Sequence, residues 1–237
     1  MENRLDYKLQ NNTARTAGLL YTLMIPLGAF GVMLAPQFLI APGNADATIV
    51  NILTNSGLFR LSMLSALVVQ ICHIFIVLLL YKLLKPANGN MAALMVIFML
   101  VSIPISMVNE LNNYVALLIA NSGPSVAGMF ACQPKDMLFL FFELHKYGIL
   151  ISGFFWGLWL FPMGYLVIKS HFLPKVLGIL LIIAFCGYIV DSLLGLGIPG
   201  YEETAIASIL KLPMYCEILF PLWLLFKGIK PSLDAAQ

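Results

Sequence analysis

Leu58 to Leu84 reads LFRLSMLSALVVQICHIFIVLLLYKLL, a run in which Arg60 is the only charge before Lys82. A helix needs about 20 predominantly apolar residues to cross the hydrocarbon core of a bilayer, and this segment exceeds that length. It lacks the two-residue alternation of a barrel strand, so it reads as a membrane helix whose backbone groups are all paired internally. Five more stretches read the same way: Ala14 to Ile40, Met91 to Ala120, Met137 to Ile168, Pro174 to Ile198 and Thr204 to Lys227. The expected fold is an all-α integral membrane protein, one transmembrane domain over residues 1–237 made of six helices.

Composition agrees. The chain is 61% hydrophobic and 10% charged, with a mean hydropathy of +0.94, whereas soluble domains carry roughly 25% charged residues. The formal net charge is only +2 and the basic residues are scattered, which argues against a nucleic-acid partner. The segment from Met1 to Asn12 is polar and includes Glu2 and Asp6, unlike a cleaved signal peptide, so the first span is expected to be retained. Cys72, Cys186 and Cys216 fall within spans and Cys132 has no partner in another loop on its side, so no disulfide framework is implied.

Basic residues orient the bundle. Arg4, Lys8, Arg15, Lys82, Lys85, Lys169, Lys175, Lys227 and Lys230 lie on one side, and the opposite loops hold only Lys135. The positive-inside rule therefore places both termini in the cytoplasm. In the first outer loop, Asp46 is a candidate cap for a short interfacial helix with Ile49, Ile52 and Leu53 on one face. Pro26, Pro104, Pro162, Pro213 and Pro221 lie inside spans, where each removes a backbone donor and tends to kink the helix.

Eight ionisable side chains sit inside these spans: Arg60, Glu110, Glu143, His145, Lys146, Asp191, Lys211 and Glu217. A charge in hydrocarbon costs a few kcal/mol or more unless it is paired or hydrated, so this set is the candidate ligand-binding site. Counting about 1.5 Å per residue places all but Glu217 in the outer part of the membrane. Glu217 lies deepest, level with Gln70 and His73. Ser102, Ser106, Asn109 and Asn113 recur at helical spacing beside Glu110 and Tyr114, giving span three one polar face, and Ser62, Gln70 and His73 form a similar line on span two.

Two readings of the charges stand side by side. Arg60, Lys146 and Lys211 nearly balance Glu110, Glu143, Asp191 and Glu217, as expected of an internal salt-bridge network, and Glu143 and Lys146 can meet at three-residue spacing. Alternatively the groups line an outward-facing pocket that binds or transports a small polar or amphipathic ligand, with the lipid bilayer as surroundings and a small molecule or lipid as partner. An intramembrane enzyme using Glu143, His145 and Asp191 as acid and base groups, possibly metal-dependent, and a non-catalytic accessory subunit are the contrasting classes. Metal ligation is disfavoured because Glu143 and His145 point about 200° apart around a helix, and no nucleophile elbow is present. A proton path through His145, Asp191 and Glu217 would have to continue past Gln70 and His73 into an apolar inner half.

The run from Phe141 to Ser192, FFELHKYGILISGFFWGLWLFPMGYLVIKSHFLPKVLGILLIIAFCGYIVDS, resembles the bacterial multi-pass proteins grouped as domain of unknown function 4386. ARTAGLLYTLMIPLGAF at Ala14, NILTNSGLFRLSMLSALV at Asn51 and LLYKLLKPANGNMAAL at Leu79 are similar to that family's opening spans. The resemblance implies a bacterial inner-membrane protein and brings no established activity, cofactor or catalytic residue with it. No catalytic residue, metal or cofactor is assigned from the sequence.

Overall fold

A computed structural model describes residues 2–41, 43–122 and 134–230. Cys132 lies outside the described residues. The helices are α1 (Glu2–Ala29), α2 (Ala35–Leu39), α3 (Ala45–Thr54), α4 (Ser56–Leu84), α5 (Gly89–Ser122), α6 (Pro134–Lys169), α7 (Lys175–Gly197), α8 (Ala205–Lys211) and α9 (Leu219–Phe226). Six stretches are long and apolar enough to cross a membrane: Asp6–Leu39, Ser56–Leu84, Gly89–Asn121, Lys135–Lys169, Lys175–Gly197 and Ala205–Phe226.

Proline acts unevenly on these helices. Pro104 and Pro162 are accommodated within α5 and α6. Pro36 has no N–H to offer the Val32 carbonyl, and the turn before it widens to a π-helix over Phe30–Leu34, with the Ala35 N–H bonded to the Phe30 carbonyl. In the sixth span, Pro213 lies in a 3-10 helix, Leu212–Ile218, which separates α8 from α9. Seven residues is long for that geometry, whose bonds are poorer than those of an α-helix and whose runs rarely exceed about four residues.

The chain forms two compact units, and four of the six spans contribute residues to both. The first unit comprises the described residues of Met1–Leu23, Cys72–Ile103 and Leu150–Gln237. Its fully buried side chains include Trp159, Tyr21, Phe220, Ile76, Leu80, Met95 and Met99. Glycine sets its helix spacing. A Cβ on Gly178 of α7 would fall 2.5 Å from the Gly164 carbonyl oxygen of α6, and one on Gly157 would fall 2.9 Å from the Tyr188 Cβ. The small residues at 153 and 157 thus present the kind of surface on which membrane helices approach closely without a hydrophobic driving force.

The second unit comprises Met24–Ile71 and the described residues of Pro104–Ile149. Ala35, Leu39, Ile52, Phe59, Met63, Leu117 and Ala120 form its core, with Phe142 packed against them and meeting Phe59 edge-on at 6.4 Å. Helix α3 is capped by Asn44 rather than Asp46: the Asn44 side chain accepts from the Ala47 N–H, while Asp46 occupies the first turn. An asparagine oxygen two positions before the acid reaches that N–H first, leaving Asp46 free to bond Lys135 at 2.7 Å. The face of α3 also differs from the expectation. Ile52 is fully buried and Ile49 packs against the same core as expected, but Leu53 is exposed, Thr48 being the other residue turned into the unit.

Candidate functional site

The eight charged side chains divide between the units. Arg60, Glu110, Glu143, His145 and Lys146 belong to the second, and Asp191, Lys211 and Glu217 to the first. Among these five side chains of the second unit, Glu110 is the buried one, and it pairs with the half-buried His145. Glu110 of α5 is 5% exposed, and its Oε1 lies 3.2 Å from His145 Nε2 of α6. Asn113, one turn on, donates to Glu110 Oε2 at 3.0 Å.

Asparagines complete this centre. Asn109 Nδ2 donates to the His145 main-chain carbonyl at 2.9 Å, and Asn112 Nδ2 in turn donates to Asn109 Oδ1 at 3.0 Å. Two polar side chains of α5, Asn109 and Glu110, therefore hold His145 of α6, and Asn112 and Asn113 bond those two in turn. Gly148 makes room for them, since a Cβ there would meet Asn109 Oδ1 at 1.9 Å. The arrangement offers a carboxylate, an imidazole and amide groups of both hydrogen-bonding senses in a span where every unpaired polar group is costly.

The other members of the second unit stand apart from this centre. Glu143 pairs with Lys146 at 3.3 Å on the surface of α6, their side chains 57% and 40% exposed. Arg60 is exposed on α4 and makes no ion pair or hydrogen bond among the described residues. His145 thus works with Glu110 and not with its near neighbour Glu143, as the 3.6-residue turn requires.

In the first unit, Asp191 of α7 is 7% exposed and its Oδ1 accepts from the Tyr201 hydroxyl at 3.2 Å. Lys211 acts on the same carboxylate electrostatically. Burial, and after it the adjacent Asp191 charge, pushes the Tyr201 hydroxyl up to about 12, which keeps it a donor. Glu217 lies in the 3-10 segment and accepts a hydrogen bond from Tyr21 of α1; the Tyr188 hydroxyl of α7 lies beside the same carboxylate. Tyr21 stacks obliquely on Trp159 of α6 with ring centroids 5.8 Å apart, and His73 of α4 meets Trp159 edge-on at 6.3 Å.

Tyr21, Trp159, Tyr188 and Tyr201 escaped the sequence reading. The available signal was the phenol itself, because a tyrosine deep in an apolar run carries a hydroxyl that has to find a partner. Span two's Gln70 and His73 are both buried, and Gln70 Oε1 and His73 Nδ1 find no hydrogen-bond partner among the described residues. No group of three or more His, Cys, Asp or Glu side chains suited to a metal ion occurs among the described residues.

Six apolar crossings with buried polar centres define a multi-pass helical membrane protein. The chain belongs to the family described as Domain of unknown function (DUF4386), whose model matches residues 16–228. It is also 31% identical over 173 residues to an uncharacterized protein of Archaeoglobus fulgidus, a match covering 72% of this chain and 86% of the relative. That relative is archaeal. No solved structure matches the chain.

Proposed function

We propose that the chain binds a small polar or amphipathic molecule within the membrane, at the centre formed by Glu110 and His145. The observation that carries this reading is the buried Glu110 paired with the half-buried His145, together with the asparagines around them, a concentration of hydrogen-bonding groups beyond what anchoring a helix calls for. The protein resides in a cell membrane with both termini cytoplasmic, a reading supported by nine basic residues on the terminal side against Lys135 opposite, itself neutralised by Asp46.

Native mass spectrometry of the protein in lipid nanodiscs tests the binding. The wild type and Lys230→Ala are expected to retain a co-purifying small molecule, and Glu110→Gln and His145→Ala to lose it while still folded. Equal occupancy in all four proteins, or none in the wild type, overturns the reading.

A further inference from the structure

The Glu217 centre is separate chemistry. Its carboxylate accepts from the neutral phenol of Tyr21 and has the phenol of Tyr188 beside it, and among the described residues no lysine, arginine or histidine stands within ion-pair distance of it. Hydroxyl donors offset part of the cost of a carboxylate in a membrane span, but they supply no positive charge. The position is built and not incidental. The 3-10 segment that carries Glu217 begins against Gly187 of α7, where a Cβ would come within 3.0 Å of the Pro213 Cβ, so the chain bends close to α7 at this point.

What adjoins the carboxylate is aromatic. Tyr21 and Tyr188 touch it, Trp159 lies against Tyr21, and His73 lies against Trp159. His73 is 6% exposed and its Nδ1 has no partner among the described residues. Inorganic cations favour shells made of oxygen alone. A carboxylate beside phenol and indole rings suits an organic cation, whose charge is attracted by the acid and by the ring faces while its alkyl groups are content away from water.

We propose that Glu217, with Tyr21, Tyr188 and Trp159, forms a binding site for an organic ammonium ion. The site is distinct from the Glu110 centre and does not depend on it. A bound ammonium neutralises Glu217 inside the span and joins the broken sixth span to α1 and α7 through one ligand.

Choline is the probe, because its charge is independent of pH, and 3,3-dimethylbutan-1-ol is its neutral isostere. Equilibrium binding of radiolabelled choline to the full chain in nanodiscs is expected to saturate, to resist competition by the neutral alcohol and to be unchanged when potassium replaces sodium. Glu217→Gln is expected to weaken it by about thirtyfold or more, the effect of removing one partner of a buried charge pair. Glu217→Asp keeps the charge and is expected to bind more weakly while still preferring choline over the alcohol. Absence of saturable binding to the wild type, equal competition by the alcohol, or displacement by sodium each overturns the proposal. The wild-type competition decides the matter even where Glu217→Gln fails to fold.

Discussion

Asn109 donates from its side-chain amide to the main-chain carbonyl of His145 at 2.9 Å, directly over Gly148. The two helices can approach that closely only where α6 has no side chain. Gly148→Ala would set a methyl carbon 1.9 Å from Asn109 Oδ1, so Asn109 must leave its place and release the His145 turn. A loss of about 1–3 kcal/mol is expected, the range for overpacking a well-filled site. Thermal unfolding in detergent measures it, and the double variant Gly148→Ala with Asn109→Ala should recover part of the loss. A double variant no more stable than the single one would show that Asn109 is not what the methyl meets.

Gly178 makes the same kind of prediction for the first unit. Its Cβ would fall 2.5 Å from a backbone oxygen, which cannot swing aside as a side chain can. Gly178→Ala should therefore lower the unfolding temperature markedly. Gly57→Ala serves as the reference, because nothing lies within 4 Å of a Cβ there, and alanine favours a helix over glycine by about 1 kcal/mol. Similar unfolding temperatures for the two variants would contradict the close α6–α7 contact.

Tyr201 carries a pH signature. Its hydroxyl titrates near 10 in the unfolded chain and is raised to about 12 in the fold, so the stability it contributes is complete below pH 10 and is lost as the pH climbs through 12. The difference in stability between the wild type and Tyr201→Phe should be constant from pH 7 to 10 and shrink above that. At neutral pH the variant leaves Asp191 without its donor, a cost of about 1–3 kcal/mol. A difference that grows with rising pH would reverse the assignment.

The ion pair between Lys135 and Asp46 is expected to matter little. Its side chains are 47% and 72% exposed, and pairs of this kind contribute about 0–1 kcal/mol, less at high salt. Lys135→Ala should shift the unfolding temperature far less than Gly148→Ala. A large effect would mean that α3 depends on this pair and not on the burial of Ile52 and Thr48.

The six crossings were legible because transfer into hydrocarbon is close to additive along a helix, so long apolar runs declare themselves without knowledge of their neighbours. The Glu143 and Lys146 contact was legible for a similar reason, being set by spacing within one helix. The cap of α3 was misplaced on Asp46 because Asn44 and Asp46 are both competent cap residues, and the backbone conformation at Asn44 makes the choice. The break in the sixth span was only half visible: Pro213 marked a disturbance, but Pro104 and Pro162 look alike in sequence and are absorbed by their helices.

By itself the sequence determined the class of protein, the number of crossings and the stock of polar groups placed inside them. The tertiary structure decided which of those groups meet. Glu110 finds His145, Asp191 finds Tyr201 and Glu217 finds Tyr21 and Tyr188 because of how each helix is rotated about its axis and how closely glycine lets it approach. Hydropathy carries little of that information, since neither rotation nor close approach changes how many apolar residues a span contains.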